Sequence, residues 1–157
     1  MNNLFQVKCF EENQHSAAYS QAEELLKSGG QSPFMEAGYY SGIANEPLHL
    51  CLNDCLIGFA TLLLTGDGAE LYKLYIHPNY RGQGIGRSAA QASINYIFDK
   101  YDVEDVYVSI LGNSADFWWK VVQIYGERAV YVGNACYFVK AGQSVKYHYP
   151  WLFEENE

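Results

Sequence analysis

The stretch that decides the fold is residues 69–88, AELYKLYIHPNYRGQGIGRS, near the middle of the 157-residue chain. Its first nine residues form an apolar and aromatic run that predicts a strand, and Pro78 ends that strand. Glycines follow at positions 82, 84 and 86, and a helical pattern begins directly after them. Glycine allows backbone conformations that are closed to other residues, so consecutive N–H groups can turn toward one ligand. The helix start adds unpaired N–H groups and a positive dipole end, so the segment predicts a phosphate or pyrophosphate site.

Three phosphate-binding motifs compete for this segment. A P-loop requires Gly-x4-Gly-Lys-Ser/Thr, but Arg81 stands five residues before Gly86, and Arg87 replaces the lysine. A dinucleotide-binding fingerprint requires Gly-x-Gly-x-x-Gly, whereas these glycines alternate and their strand follows hairpins instead of opening a βαβ unit. The pattern that matches is Arg-x-x-Gly-x-Gly, at Arg81, Gly84 and Gly86.

Charge is unevenly distributed along the chain. The net charge is −8, from 10 basic and 18 acidic side chains. Residues 72–98 contain three basic residues (Lys73, Arg81 and Arg87) and no acidic residue, so the other 130 residues carry a net charge of −11. This balance argues against a general nucleic-acid or anionic membrane surface. It predicts a small anion-binding region within an acidic protein.

Composition indicates one globular domain over residues 1–157. Apolar residues make up 49% of the chain and charged residues 18%. No stretch approaches the roughly 18 apolar residues of a membrane span, and the N-terminal residues lack the basic and apolar regions of a signal peptide. The four scattered cysteines (Cys9, Cys51, Cys55 and Cys136) predict reduced thiols instead of disulfides or a metal site. We therefore expect a cytoplasmic protein without metal.

Hydropathy patterns predict the other elements. The expected strands cover 4–10, 48–52, 55–65, 69–77, 104–111, 128–132 and 135–140, and the expected helices cover 12–28, 85–101 and 113–126. For residues 31–46 the pattern predicts a loop, or a loop with a short helix. Because a strand–helix–strand crossover lies among hairpins, the pattern predicts a mixed sheet of the α/β or α+β class.

Residues 69–88 resemble the strand and the Arg/Gln-x-x-Gly-x-Gly/Ala signature of the GCN5-related N-acetyltransferases (GNATs), and the element order agrees with that family over nearly the whole chain. The resemblance implies a mostly antiparallel central sheet with a splayed parallel strand pair and flanking helices. It also implies acetyl-coenzyme A as co-substrate, with the pyrophosphate on the loop amides and the pantetheine arm along the preceding strand. The coenzyme-binding residues implied in this segment are Leu74, Tyr75, Ile76, Arg81, Gly82, Gln83, Gly84, Ile85, Gly86 and Arg87.

A later motif of the family matches only in part. The resemblance implies an Asn that opens a helix and a Tyr seven residues on that protonates the departing thiolate. Asn113 is present, but Lys120 stands seven residues on, and Trp119 six. Either the helix is shifted by one residue and Trp119 packs on the coenzyme, or another group such as Tyr125 is the acid. Asn113 contacts the coenzyme or simply caps the helix.

Acyl transfer to an amine requires a neutral amine, so the site needs a base or a water chain. Glu70 is the candidate base, because it starts the strand that leads into the segment at residues 81–86, here called the glycine loop. On ideal alternation it shares a face with Tyr72, Leu74 and Ile76, and the resemblance implies a catalytic Glu at a similar distance in some branches. The alternative is a solvated acid at a strand end. A strand N–H near Ile76 is the expected oxyanion donor.

The acceptor is the least specified part. The acidic surplus favours a small cationic amine, or a lysine or N-terminal amine of a peptide or protein. Tyr39, Tyr40 and the aromatic tail at 147–153 are expected to line its pocket or to pack in the core and at its edge, and the tail is also a candidate homodimer contact. The predicted function is therefore direct N-acetylation of a primary amine. The alternative is a non-catalytic coenzyme A-binding sensor or scaffold domain.

Overall fold

A computed structural model describes residues 5–30, 44–110 and 112–154. The strands are β1 (Phe5–Lys8), β2 (Ala44–Leu52), β3 (Cys55–Leu64), β4 (Gly68–Ile76), β5 (Asp105–Ser109), β6 (Ala129–Tyr131) and β7 (Ala135–Val139). The α-helices are α1 (His15–Ser28), α2 (Ile85–Lys100), α3 (Ala115–Tyr125) and α4 (Val145–His148). The predicted element order is confirmed within these ranges, and the short α4 in the aromatic tail is an element that the hydropathy pattern does not predict. The loop predicted over 31–46 lies outside the described residues up to residue 43, and it is wrong for residues 44–46, which belong to β2 and pair with β3.

The strands form one seven-stranded sheet in the order β1-β2-β3-β4-β5-β7-β6. All neighbouring strands are antiparallel except β4 and β5, which are parallel. This mixed sheet confirms the predicted fold class. Asn53 and Asp54 connect β2 to β3 with φ angles of 52° and 67°, a two-residue turn whose left-handed backbone suits the twist of a hairpin. No helix within the described part of the chain is long and apolar enough to cross a membrane.

The helices cover both faces of the sheet. Helices α2 and α3 pack on one face, where fully buried residues such as Leu62, Ile94 and Phe138 form the main core. Helix α1 packs on the other face through Leu26 against Phe59, and α4 packs on that same face against β7. Burying one such side chain stabilises a fold by about 1.5–3 kcal/mol, so this core fixes the position of the strands.

A bulge interrupts β4 at Lys73. Two steps along β3, from Phe59 to Thr61, match three steps along β4, from Tyr75 to Tyr72. Lys73 has a φ of +54°, the left-handed region that a lysine rarely occupies. The extra residue reverses the alternation of side chains beyond it.

The alternation predicted for β4 is therefore wrong past Tyr72. Glu70 and Tyr72 pair with Leu63 and Thr61 on the face of α1. Leu74 and Ile76, beyond the bulge, instead pack on the face of α2, where Ile76 clusters with Leu50 and Ala89.

Strands β4 and β5 diverge after a short parallel contact. They pair from Gly68↔Asp105 to Glu70↔Tyr107. Beyond Glu70, β4 pairs with β3 at Leu71, Tyr72, Tyr75 and Ile76, and within the described residues it has no further pair with β5. Strand β5 continues along β7. The result is a fork in the sheet with Glu70 and Tyr107 at its apex, which is the splayed parallel pair that the resemblance implies.

Candidate functional site

A cavity of about 830 Å³ lies in the fork between β4 and β5. Its walls are the diverging strands, the glycine loop and the beginning of α3. Two residues of the α1 side, Leu26 and Phe59, also line it, so the cavity reaches both faces of the sheet. The remaining lining residues are Leu71, Lys73, Leu74, Tyr75, Ile76, Arg81, Gly82, Gly84, Gly86, Arg87, Val108, Ser109, Asn113, Ser114, Asp116, Phe117, Trp118 and Lys120.

The glycine loop closes one end of the cavity. Gly82 and Gly84 have φ angles of +79° and +76°, which favour glycine because a side chain would strain the backbone there. Gly84 precedes the first residue of α2 and has no side chain to cap the helix. A Cβ on Gly86 would lie 3.1 Å from Phe117 Cε1, so the absent side chain lets α3 approach α2 closely. The first-turn N–H groups of α2 thus border the cavity, an arrangement suited to an anion.

Basic side chains outnumber acidic ones around the cavity. Lys73, Arg81, Arg87 and Lys120 line it, and Asp116 is the one acidic lining residue in the described part of the chain. Lys120 pairs with Asp116 at 3.1 Å, but both side chains are exposed, so this ion pair contributes little stability. In a chain of net charge −8 the cavity is a local positive region that favours phosphate groups.

Arg81 is held at the end of β4. Its Nε donates a hydrogen bond of 2.7 Å to the carbonyl oxygen of Ile76, and its guanidinium carbon lies 5.3 Å from the centre of the Tyr75 ring. The arginine of the predicted motif therefore has a defined position where the strand meets the glycine loop.

Most residues predicted to bind the coenzyme line this one cavity. They are Leu74, Tyr75, Ile76, Arg81, Gly82, Gly84, Gly86, Arg87 and Asn113. Gln83 and Ile85 belong to the same loop but do not line the cavity. Trp119 lies outside it, with 49% of its surface exposed and its ring edge-on to Tyr131 at 5.5 Å. The coenzyme contacts of all these residues stay predictions.

The start of α3 differs from the predicted start. The helix begins at Ala115 with Ser114 at its N-cap position, so Asn113 does not cap it. Lining residues on α3 that sequence reasoning missed include Phe117, the buried Trp118 and Lys120. For Phe117 and Lys120 the signal was helical periodicity, because positions 113, 117 and 120 fall on one face of the helix predicted over 113–126.

Glu70 lies at the apex of the fork and does not itself line the cavity. It is half-buried on the face of α1, opposite Leu63 on β3 and Tyr107 on β5. Burial raises the pKa of the Glu70 carboxyl above its usual range. A raised pKa makes a carboxylate a stronger base, and the neighbouring Leu71 does line the cavity.

Tyr125 faces α2 instead of the cavity. Its hydroxyl donates a hydrogen bond of 2.9 Å to Asn95 Oδ1, and its ring packs edge-on against Phe138. Burial raises the pKa of Tyr125 to about 12. The structure thus separates this candidate acid from the other predicted site residues.

The remaining site expectations concern metal, the tail and two tyrosines. Among residues 5–30, 44–110 and 112–154, no cluster of His, Cys, Asp and Glu is arranged to hold a metal ion. Residues 147–153 do not contribute to the cavity lining; Tyr149 is buried against β7, whereas Tyr147 and Trp151 are exposed. Tyr39 and Tyr40 lie outside the described residues.

Comparison with solved structures shows the fold. The dodecameric spermidine N-acetyltransferase from Vibrio cholerae is similar with a TM-score of 0.60 at 14% identity, over 93% of this chain and 97% of that chain. The ribosomal-protein-S18-alanine N-acetyltransferase from Escherichia coli has a TM-score of 0.55 at 15% identity, over 89% of this chain and 97% of that chain. A search of curated protein sequences found no match.

A family model identifies the chain directly. The model of the acetyltransferase (GNAT) family matches residues 6–115, which include the fork, the glycine loop and Arg81. This match covers more than half of the chain and agrees with the sheet topology and the shared fold. The chain belongs to the GNAT acetyltransferase family.

Proposed function

We propose that the protein is an acetyl-CoA-dependent N-acetyltransferase that transfers the acetyl group directly to a primary amine. The observation that carries the proposal is the fork between β4 and β5, which opens a cavity with the glycine loop and two arginines at one end. Family membership supports an acyltransferase. A crystal structure of the Vibrio cholerae spermidine N-acetyltransferase in complex with CoA and spermine, with a TM-score of 0.59 to this chain, supports coenzyme A as the ligand.

The cavity fits the coenzyme in shape and charge. The loop glycines leave backbone N–H groups uncovered, and Arg81 and Arg87 supply positive charge for a diphosphate. Beyond Glu70, the fork side of β4 pairs with no strand in the described part of the chain, which leaves room along this edge for an extended amide-containing chain. When bound, acetyl-CoA supplies an acyl group activated as a thioester.

The chain's own residues would then handle the protons and the developing charge. We assign Glu70 as the base that takes a proton from the acceptor amine, directly or through one water, because burial raises the pKa of its carboxyl. A backbone N–H near Ile76 would donate to the oxyanion. Lys120 lines the cavity and stands seven residues after Asn113, where the family resemblance implies a tyrosine; its ammonium group would favour negative charge on the departing sulfur.

We propose a small cationic amine or a peptide or protein amine as acceptor. The acidic balance outside residues 72–98 supports a cationic acceptor. By name, one structural neighbour acetylates spermidine and another acetylates an alanine of a ribosomal protein, and both acceptors are amines.

We also propose a cytoplasmic location, since the four cysteines are free thiols. A homodimer contact through the exposed tail residues Trp151 and Phe153 belongs to the same proposal.

Thermal unfolding combined with a free-thiol assay tests the proposal. Acetyl-CoA at 100 times its dissociation constant should stabilise the protein by about 2.7 kcal/mol, a shift of several degrees. Thiol release should follow with polyamines, lysine peptides or peptides with a free N-terminus. A shift without thiol release across that panel would favour the non-catalytic sensor or scaffold. The absence of any shift would refute the coenzyme site itself.

A further inference from the structure

Tyr75 connects helix α1 to the arginine of the glycine loop. Its ring lies under the Arg81 guanidinium, with 5.3 Å from the guanidinium carbon to the ring centre, and contacts the Phe59 ring at a centroid distance of 5.5 Å. Phe59 packs in turn on Ala22 and Leu26 of α1. One apolar cluster therefore joins α1, β3 and β4 beneath the cation that borders the cavity.

The hydroxyl group of Tyr75 packs against the end of α1. Among the described residues this buried hydroxyl has no hydrogen-bond partner. A Cβ on Gly29 would overlap the Tyr75 hydroxyl, and it would also lie 2.9 Å from Pro78 Cδ. Gly29 has a φ of −90°, a value that any residue can adopt. A side chain at position 29 is therefore excluded by the Tyr75 hydroxyl and Pro78, and not by backbone strain. The hydroxyl thus fills the space beside Gly29 without a hydrogen bond, and the ring makes the contacts with Arg81 and Phe59.

We propose that Tyr75 is the positioning residue of Arg81, and that the C-terminal end of α1 supports the phosphate end of the cavity through it. The Nε of Arg81 is engaged by the Ile76 carbonyl, so the donors on its two Nη atoms are the ones that a phosphate would use. The Tyr75 ring limits where those atoms lie, because it covers one face of the guanidinium plane. The inference rests on the proposed function, in which coenzyme A brings the phosphates.

The test compares coenzyme A with pantetheine, which has the same arm but no diphosphate or nucleotide. Affinities are measured by calorimetry for coenzyme A and by NMR titration for pantetheine, on wild type, Tyr75→Phe, Tyr75→Leu, Arg81→Met and the double variant Tyr75→Leu/Arg81→Met. Tyr75→Leu should weaken coenzyme A binding about three- to tenfold, the range of one partly desolvated cation–π contact. Its pantetheine affinity should stay within about twofold of wild type. Tyr75→Phe keeps the ring and should weaken coenzyme A binding by clearly less than Tyr75→Leu does.

The double variant separates positioning from general damage. If Tyr75 acts through Arg81, Tyr75→Leu should weaken binding by less than about twofold in the Arg81→Met background. Tyr96→Leu is the matched control, since the Lys100 ammonium lies 5.6 Å from that ring and Tyr96 is outside the cavity lining. It should leave both affinities unchanged.

Three results would overturn the inference. The first is that Tyr75→Leu loses as much affinity for pantetheine as for coenzyme A. The second is that the fold-losses of coenzyme A affinity in the two single variants multiply in the double variant. The third is that Tyr75→Phe loses as much coenzyme A affinity as Tyr75→Leu. A wild-type protein that binds no coenzyme A would instead refute the proposed function, which is a distinct outcome.

Discussion

Glu70 combines a charged group with partial burial at the apex of the fork. Its carboxyl pKa is raised by burial, so the folded protein binds a proton there more readily than the unfolded chain does. Stability contributed by this group is therefore largest at low pH and falls as pH rises through the raised pKa. Glu70→Gln should unfold at a higher temperature than wild type at pH 7, and the difference should vanish below about pH 4.5, the ordinary value. Thermal unfolding between pH 4 and pH 8 measures this.

The same substitution should lower activity. If Glu70 is the base, Glu70→Gln should reduce kcat by roughly 10²–10⁴-fold, the usual contribution of general base catalysis. Asp67→Asn is the matched control, because Asp67 is an exposed acid in the turn just before β4. Equal activity of Glu70→Gln and wild type would remove Glu70 from the mechanism.

Gly84 and Gly66 allow backbone strain to be separated from ligand binding. Both have positive φ angles, +76° and +82°, so alanine at either position should cost about 1–2 kcal/mol. Gly84 lines the cavity, whereas Gly66 lies in the turn between β3 and β4. Both variants should lose similar stability, but only Gly84→Ala should also lose affinity for coenzyme A. Comparable affinity in the two variants would show that the loop does not hold the ligand.

Sequence reasoning located the loop glycines and Arg81 because their spacing is local. It failed at Lys73, where one extra residue in β4 reverses the side-chain alternation. A lysine in the left-handed region leaves no hydropathy signal, since the bulge is fixed by pairing with β3 and not by the residue itself. The faces of Leu74 and Ile76 therefore required the structure.

At the scale of elements, the end of α1 and the glycine loop should respond together. Gly29→Ala places a methyl group against the Tyr75 hydroxyl and Pro78. We expect it to weaken coenzyme A binding, and the added Tyr75→Phe substitution to restore part of the loss by removing the overlapping hydroxyl. Calorimetric titration of both variants measures this. Ser28→Ala, which removes only a bond to the Leu25 carbonyl, is the control and should bind normally. If Gly29→Ala bound coenzyme A as tightly as wild type, the end of α1 would shift to accommodate the methyl group without disturbing the glycine loop.

In helix α3 the family motif and the helical periodicity point to different residues as the cavity wall. The family motif directed attention to Trp119, one residue off register, and to Tyr125. The observed helix buries Trp118, exposes Trp119 and places Lys120 in the cavity lining. Periodicity alone would have grouped 113, 117 and 120, but the facing β4–β5 fork that makes this group a cavity wall depends on strands distant in sequence.

At the scale of the whole molecule, the tail ties the C-terminal half of the sheet together. Tyr149 packs on Val139 and Val145, and its hydroxyl donates a hydrogen bond to the Asp105 carboxylate. Burial and this bond both raise the pKa of Tyr149. Tyr149→Phe should destabilise the fold by about 1–3 kcal/mol, which lowers Tm by several degrees.

The exposed neighbour of Tyr149 provides the control for this prediction. Tyr147 is 86% exposed, so Tyr147→Phe should leave Tm unchanged. Asp105→Asn should destabilise the protein as well, and the double variant should lose less than the two single losses combined, because both groups share one bond. Additive losses would show that the tyrosine and the aspartate act separately.

The sequence was enough to predict the element order, the sheet class and the position of the glycine loop, because each depends on periodicity or on a short motif. The role of the tail could not. Its aromatic residues have no period, and what decides that Tyr149 is buried while Trp151 is exposed is contact with β7, which no local pattern encodes.

The fork also divides the sheet into two panels. Strands β1–β4 and β5–β7 are joined edge to edge by three residue pairs among the described residues. Helices α2 and α3 pack against both panels on one face of the sheet. Among residues 71 and 74–76, the backbone amides that face the fork should therefore exchange their hydrogens with solvent quickly when the protein is alone. Coenzyme A bound along β4 should slow that exchange, and the slowed amides, read by mass spectrometry, would trace the path of the ligand between the panels.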